Sequence, residues 1–238
     1  MDKRFIELSL FSSVKENTNK GYKYNKKALE KAINEFKSNN MNKNYLVLVD
    51  MQNDFLGGCL SVPDFQKVID ANVSLLENFC FDKVICTLDT HNDKYTDTKE
   101  GRHLPIPHCI KNTNGHKLVK PIYDVLYSQP NVDFIEKYAF APGQKQLYDK
   151  FWDFDCSSDK IFICGVCTDI CVVSTAFQLS SMFPETEIYL IESRCAGTNK
   201  ENHEHAVHVM ESCQINIVKD FDELKNNHAR LRLLKLNY

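Results

Sequence analysis

Charge of one sign is not in excess in this 238-residue chain: 29 Lys and Arg stand against 32 Asp and Glu, a net charge of −3. A surface that follows nucleic acid or clings to an anionic membrane needs a basic excess, and none is present. Long apolar runs are also missing. The longest near the start is Leu46-Val47-Leu48-Val49, far below the ~20 residues that cross a bilayer. Phe5 to Val14 is interrupted by Glu7 and too short for a secretory h-region. The chain is therefore expected in the cytoplasm, with neither nucleic acid nor membrane as a partner. Internal repeats are absent.

What is there fits one soluble globular domain: 43% hydrophobic and 26% charged residues in a length too short for two sizeable cores. Ten cysteines are present. With no export signal they are expected to be reduced thiols rather than disulfides. Cys80, Cys86 and Cys164 sit inside apolar segments, where a thiol packs as a small hydrophobe. Cys164, Cys167 and Cys171 lie close together, but no second Cys pair follows at zinc-ribbon spacing.

Residues 1–43 form an extension rich in Lys and Asn. Within it Ala28, Leu29, Ala32, Ile33 and Phe36 recur at helical spacing, so Lys26–Phe36 is expected as one amphipathic helix. It is either laid on the domain with a solvated outer face or turned toward a partner. From residue 44 to 220 short apolar runs alternate with helix-like stretches, the signature of βαβ units. Strands are expected at Tyr45–Asp50, Lys83–Asp89, Lys160–Gly165, Glu187–Glu192 and Gln214–Val218, with an extended stretch at Val132–Glu136. Their unbroken apolar character suits strands covered on both faces. Helices are expected at Phe65–Phe79, Gln144–Phe151, Thr168–Met182 and Lys200–Ser212, and residues 221–238 as a helical tail. The fold class is α/β, doubly wound, with helices on both sides of the sheet.

Ligands bind such sheets beyond the carboxyl ends of the strands. Asp50 ends the first strand there, Asp89 the second, and Gly165 the third, which runs into Val166-Cys167-Thr168-Asp169-Ile170-Cys171. Cys171 falls in the opening turn of a helix, where free N–H groups lower a thiol pKa and hold an oxyanion. A buried structural Cys fits that position equally well, and Cys167 competes for the role. Asp50 at an apolar strand end suits a proton acceptor or, equally, a turn residue. Lys137 after Phe134-Ile135-Glu136 is by composition a surface lysine.

These residues match a known pattern. Val49-Asp50-Met51-Gln52-Asn53-Asp54-Phe55, Glu136-Lys137 followed by Phe140, and Gly165-Val166-Cys167-Thr168-Asp169-Ile170-Cys171-Val172 resemble, in that order, the three motifs of the isochorismatase-like cysteine hydrolases. The resemblance covers roughly Tyr45 to Lys219. It implies a six-stranded, mostly parallel sheet and a triad of Asp50, Lys137 and Cys171. It also implies a cis peptide before Cys167, and an oxyanion hole from the Cys167 and Cys171 backbone N–H groups. Some members lack the thiol and cleave the vinyl ether of isochorismate; Cys171 points to the amidase branch.

Asp89-Thr90-His91 with the later His108 offers two imidazoles and a carboxylate, a common Zn²⁺ set. Asp-x-His followed by Pro107-His108-Cys109 resembles the metal segments of the nicotinamidase (pyrazinamidase) branch. That implies a divalent metal, Zn²⁺ by expectation, on Asp89, His91 and His108, with Phe55 packing on a pyridine ring. Three positions depart from the pattern: no Trp precedes His108, Ile170 stands in place of Tyr, and Tyr95 in place of a polar ligand. The expected activity is hydrolysis of nicotinamide to nicotinate and ammonia through a cysteine thioester, in NAD salvage. The alternatives are hydrolysis of a ureido or carbamoyl compound, and a non-catalytic metal- or redox-binding regulatory module. Assembly into a homo-oligomer is left open. His203, His205 and His208 suggest a second metal site, although a solvated helix explains them better.

Overall fold

Runs of Val, Ile and Leu with nothing polar between them form strands buried on both faces, and they make the centre of this molecule. The structure, a computed structural model, describes residues 15–18, 21–24 and 43–219. A short antiparallel hairpin comes first, β1 (Lys15–Thr18) with β2 (Gly21–Tyr24). The sequence pattern does not announce it. The expected helices over Lys26–Phe36 and 221–238 lie outside the described residues.

The domain then runs through β3 (Asn44–Val49), α1 (Phe65–Asn78), β4 (Lys83–Asp89), α2 (Lys99–His103) and α3 (Lys120–Tyr127). It continues through β5 (Val132–Lys137), α4 (Gln144–Lys150), β6 (Lys160–Val166), α5 (Val173–Met182), β7 (Glu187–Ala196), α6 (Lys200–Ser212) and β8 (Asn216–Val218). The six-stranded sheet has the order β5-β4-β3-β6-β7-β8, and every pairing is parallel. All of β3 is buried, as befits its central place. Winding runs from β3 toward β5 on one side and from β6 toward β8 on the other. With right-handed crossovers that reversal puts helices on both faces. It also opens a crevice at the carboxyl ends of β3 and β6. Helices α1 and α3 pack together, and so do α5 and α6.

Gly165 lets β6 pass β3 closely at this crevice. Its φ is +118°, and a Cβ would stand 2.1 Å from the Val49 carbonyl oxygen. Only glycine tolerates both conditions.

Several boundaries differ from the expected ones for physical reasons. β3 stops at Val49 because Asp50 turns into the left-handed region, φ 49°. β7 runs on to Ala196 past an irregularity in its pairing with β6. The helix expected from Thr168 opens as a π-helical turn, Thr168–Val172, in which the Ile170 and Val172 N–H groups both donate to the Cys167 carbonyl. Helix α3 went unannounced because Pro121 occupies its first turn and only Ile122 and Leu126 face the core. No described helix is long and apolar enough to cross a membrane.

Candidate active site

Three strand ends deliver charge into an apolar interior. Asp50 leaves β3 fully buried, and its Oδ1 accepts the Thr87 hydroxyl at 2.6 Å. Its Oδ2 forms an ion pair with Lys137 Nζ at 2.8 Å. Lys137 ends β5, also fully buried. Its Nζ donates to Asp89 Oδ1 at 3.0 Å and to Cys171 Sγ at 3.4 Å. Cys171 sits on the π-helical turn with 6% exposure. One ammonium thus touches two carboxylates and a thiol.

Burial raises the Asp50 carboxyl above its ordinary value, and the charge of Asp89 adds to it; together they outweigh Lys137. Burial would lower Lys137, yet Asp50, Cys171 and Asp89 hold it well above the usual lysine value. For Cys171 burial dominates again, and Asp50 adds to it, so the thiol rises against the pull of Lys137. This corrects the expectation of a thiol acidified by a helix start. The turn is π-helical, and desolvation decides the balance.

Asp89 ends β4 and turns its second oxygen the other way. Oδ2 is 2.9 Å from His91 Nε2 and 3.4 Å from His108 Nε2. His108 Nδ1 lies 2.9 Å from the Ile106 carbonyl, to which it donates, and this turns Nε2 toward the cluster. The donor atoms of Asp89, His91 and His108 all lie within 4.8 Å of one another. Burial would raise Asp89, but hydrogen bonds from His108 and His91 and the charge of Lys137 hold it well below the usual carboxylate range. Two buried carboxylates share one lysine, which leaves excess negative charge. The donor set, its burial and this charge fit a divalent cation.

Sequence reasoning missed one neighbour of this cluster. Glu100 Oε1 stands 3.7 Å from both His91 Nε2 and His108 Nε2. Thr98 caps α2 by accepting the Gly101 N–H, which sets Glu100 in the first helical turn. That capping pattern just downstream of Asp89-x-His91 was the available signal. Tyr95 packs its ring against both imidazoles, at 4.7 and 4.9 Å, while its hydroxyl donates away to the Leu104 carbonyl.

A family model described as the isochorismatase domain matches residues 44–219. The chain belongs to the isochorismatase family, and it is a hydrolase. The nicotinamidase of Saccharomyces cerevisiae is 26% identical over 215 residues, 73% of this chain and 98% of that one. The isochorismatase family protein PncA of Bacillus subtilis is 31% identical over 176 residues, 69% of this chain and 92% of the other. The crystal structure of Bacillus subtilis nicotinamidase/pyrazinamidase PncA superposes with TM-score 0.64 at 28% identity, covering 74% of this chain and all of that one. The Pyrococcus horikoshii pyrazinamidase, solved in complex with zinc, gives 0.58 at 28% identity, covering 75% and 99%.

Other residues of this isochorismatase-family chain now gain physical roles. Gln52 is fully buried and behaves like an extra strand rung. Its Nε2 donates to the carbonyls of Asp89 and His116 at 2.9 and 2.7 Å, and its Oε1 accepts the Asp89 N–H at 2.7 Å. Asp54 accepts the Cys109 N–H at 2.7 Å and so anchors the segment that carries His108. Phe55 is buried with its ring 5.6 Å from His108, on the imidazole side of the site. A cis peptide joins Val166 to Cys167, which is 7% exposed. All ten cysteines are free. Cys86 and Cys164 are buried as expected, while Cys80 is exposed at the end of its apolar stretch. His205 and His208 are exposed, and among the described residues the Asp89 cluster alone has metal-ligand geometry.

Proposed function

We propose that this hydrolase cleaves the carboxamide of nicotinamide to nicotinate and ammonia, and so feeds NAD salvage. The observation that carries the reading is Lys137 in contact with both Asp50 and Cys171, with an Asp-His-His cluster next door. Nicotinamidases among the relatives support the substrate.

In this reading Asp50 Oδ2 takes the Cys171 proton, and Lys137 stabilises the thiolate. The thiolate attacks the amide carbon, while the N–H groups of Cys167 and Cys171 hold the oxyanion. Asp50 returns the proton to the leaving nitrogen, and ammonia departs from a Cys171 thioester. Asp50 then deprotonates a water, which attacks the thioester carbon; nicotinate leaves and the Cys171 thiol reforms. A carboxyl raised above its usual value suits that alternation of base and acid. Asp89, His91 and His108, with Glu100 alongside, would hold a divalent ion whose chemistry is a Lewis-acid contact to the ring nitrogen. Phe55 would pack against the ring.

Ammonia release across nicotinamide, pyrazinamide, benzamide and a set of ureido and carbamoyl compounds tests the reading. Nicotinamide is expected to turn over best. Faster turnover of a non-aromatic amide would reassign the substrate, and no ammonia from any of them would remove the amidase reading.

A further inference from the structure

The last helix of the domain grips the turn that carries Cys171. Thr168 opens that turn fully buried, with its Oγ1 2.8 Å from Nδ1 of His203 on α6. Asp169 is tied to the same corner. Its two oxygens accept the Thr198 N–H at 2.8 Å and the Thr198 hydroxyl at 2.5 Å. Gly197 makes the approach possible, since a Cβ there would stand 2.8 Å from Asp169 Oδ1 and 2.9 Å from His203 Cβ. Helix α6 starts at this point, and the Asn199 side chain accepts the Asn202 N–H at 2.8 Å. Two successive residues of the π-helical turn are therefore held by a part of the chain that carries none of the proposed chemistry.

The other side of the imidazole explains which atom does what. His203 Nε2 lies 3.8 Å from Glu192 Oε1 on β7. With the ring proton on Nε2, toward that carboxylate, Nδ1 accepts the hydrogen of the Thr168 hydroxyl. An ordinary space-filling histidine needs neither relation. Thr168 follows Cys167 directly, so its hydroxyl and, one residue on, the Asp169 carboxylate are the polar side-chain handles on the backbone between the two oxyanion donors.

We propose that His203 is a positioning residue for the reaction, holding Thr168 so that the Cys167 and Cys171 N–H groups meet the oxyanion. The proposal rests on the nucleophile reading of Cys171. Donors that act only as charge develops lower the barrier without tightening substrate binding. Loss of the contact should therefore appear in kcat and spare KM.

The test compares His203→Ala, His203→Asn and Thr168→Val in the full chain, by ammonia-release kinetics and thermal midpoint. His203→Ala and Thr168→Val are each expected to lower kcat by about tenfold or more with KM within about twofold, as small shifts of donors are costly. His203→Asn places its carboxamide oxygen where Nδ1 stands and should keep kcat within about threefold of wild type. The double variant His203→Ala with Thr168→Val should fall no further than either single one, because both break the same contact. A kcat within about threefold of wild type in His203→Ala overturns the proposal, and so does an equal loss in His203→Asn. If His203→Ala does not fold, Thr168→Val decides alone, and an unchanged kcat there overturns it. An inactive wild type would remove the reading beneath the proposal, and the proposal with it. An active wild type with an unaffected His203→Ala removes the proposal alone.

Discussion

The two ends of this sheet carry the same kind of ion pair in different surroundings. At the amino end Lys43 meets Asp153 at 2.7 Å, and Lys83 and Lys150 meet Asp133 at 3.0 and 3.1 Å. These side chains are 15–33% exposed. Burial would raise both carboxyls there, but their lysine partners win and hold them below the ordinary range. At the carboxyl end Lys137 and Asp50 show no exposure at all, and Asp50 moves the opposite way. Partial solvation makes the first set ordinary stabilisers, worth about 0.2–1 kcal/mol each. Full desolvation makes ionisation of the second costly to stability, which suits the proton transfer proposed for Asp50.

The largest effects should come from the buried end. Asp50→Asn keeps shape but cannot accept a proton, so nicotinamide turnover should drop on the order of 10²–10⁴-fold. Its thermal midpoint should stay level or rise, because a desolvated charge is removed while Lys137 keeps Asp89. Asp153→Asn should do the reverse, leaving turnover unchanged and lowering the midpoint slightly. An Asp50→Asn variant that is both active and less stable would erase the contrast.

Removing the lysine sharpens it further. Lys137→Met leaves two buried carboxylates without their cation, a change of about 3–5 kcal/mol by urea unfolding. Lys43→Met at the amino end should cost no more than about 1 kcal/mol. Equal costs would show that burial does not separate the two ends.

Metal removal comes next. Chelation, His91→Ala and His108→Ala should each lower bound metal by elemental analysis. They should slow nicotinamide turnover by about 10²-fold, through misplacement of the carboxamide. Benzamide, with no ring nitrogen, should suffer far less. Glu100→Gln should lower metal retention by less than His108→Ala, since its oxygen lies 3.7 Å from the imidazoles rather than inside the tighter Asp89 contacts. Protein that carries no metal and ignores chelation would exclude the cluster from the reaction.

The smallest effect is on pH. The proposed proton acceptor Asp50 must be ionised to act, and its carboxyl is raised, so kcat/KM should fall as pH drops through a value above the ordinary Asp value of about 3.9. Asp133 and Asp153 are lowered, so their stabilisation is present above that ordinary value and fades only as pH falls below it. Activity should therefore be lost before stability on acidification. Loss of both together would contradict the assignment of Asp50.

How far this was legible in the sequence follows from which forces are local. The bounds of β4 and α6 match the expected Lys83–Asp89 and Lys200–Ser212, since an unbroken apolar run and an Asn-capped amphipathic stretch are local signals. Asp50 was visible as a carboxylate closing an apolar strand. Lys137 was not, because composition favours a solvated lysine and only the motif resemblance pointed inward. Gln52 and Glu100 act through contacts to residues 37 positions away in one case and across a loop in the other. Their residue types are too common to stand out. The direction of the Cys171 shift needed three-dimensional burial, which no spacing encodes.

Rapid acid quench of enzyme turning over nicotinamide, followed by peptide mass spectrometry, tests the proposed thioester on Cys171 directly. A nicotinoyl group is expected on the peptide that contains Cys171, on no other of the ten cysteines, and absent together with activity in Cys171→Ala. Steady ammonia release with no acylated peptide, and a Cys171→Ala variant within about tenfold of wild type, would contradict it.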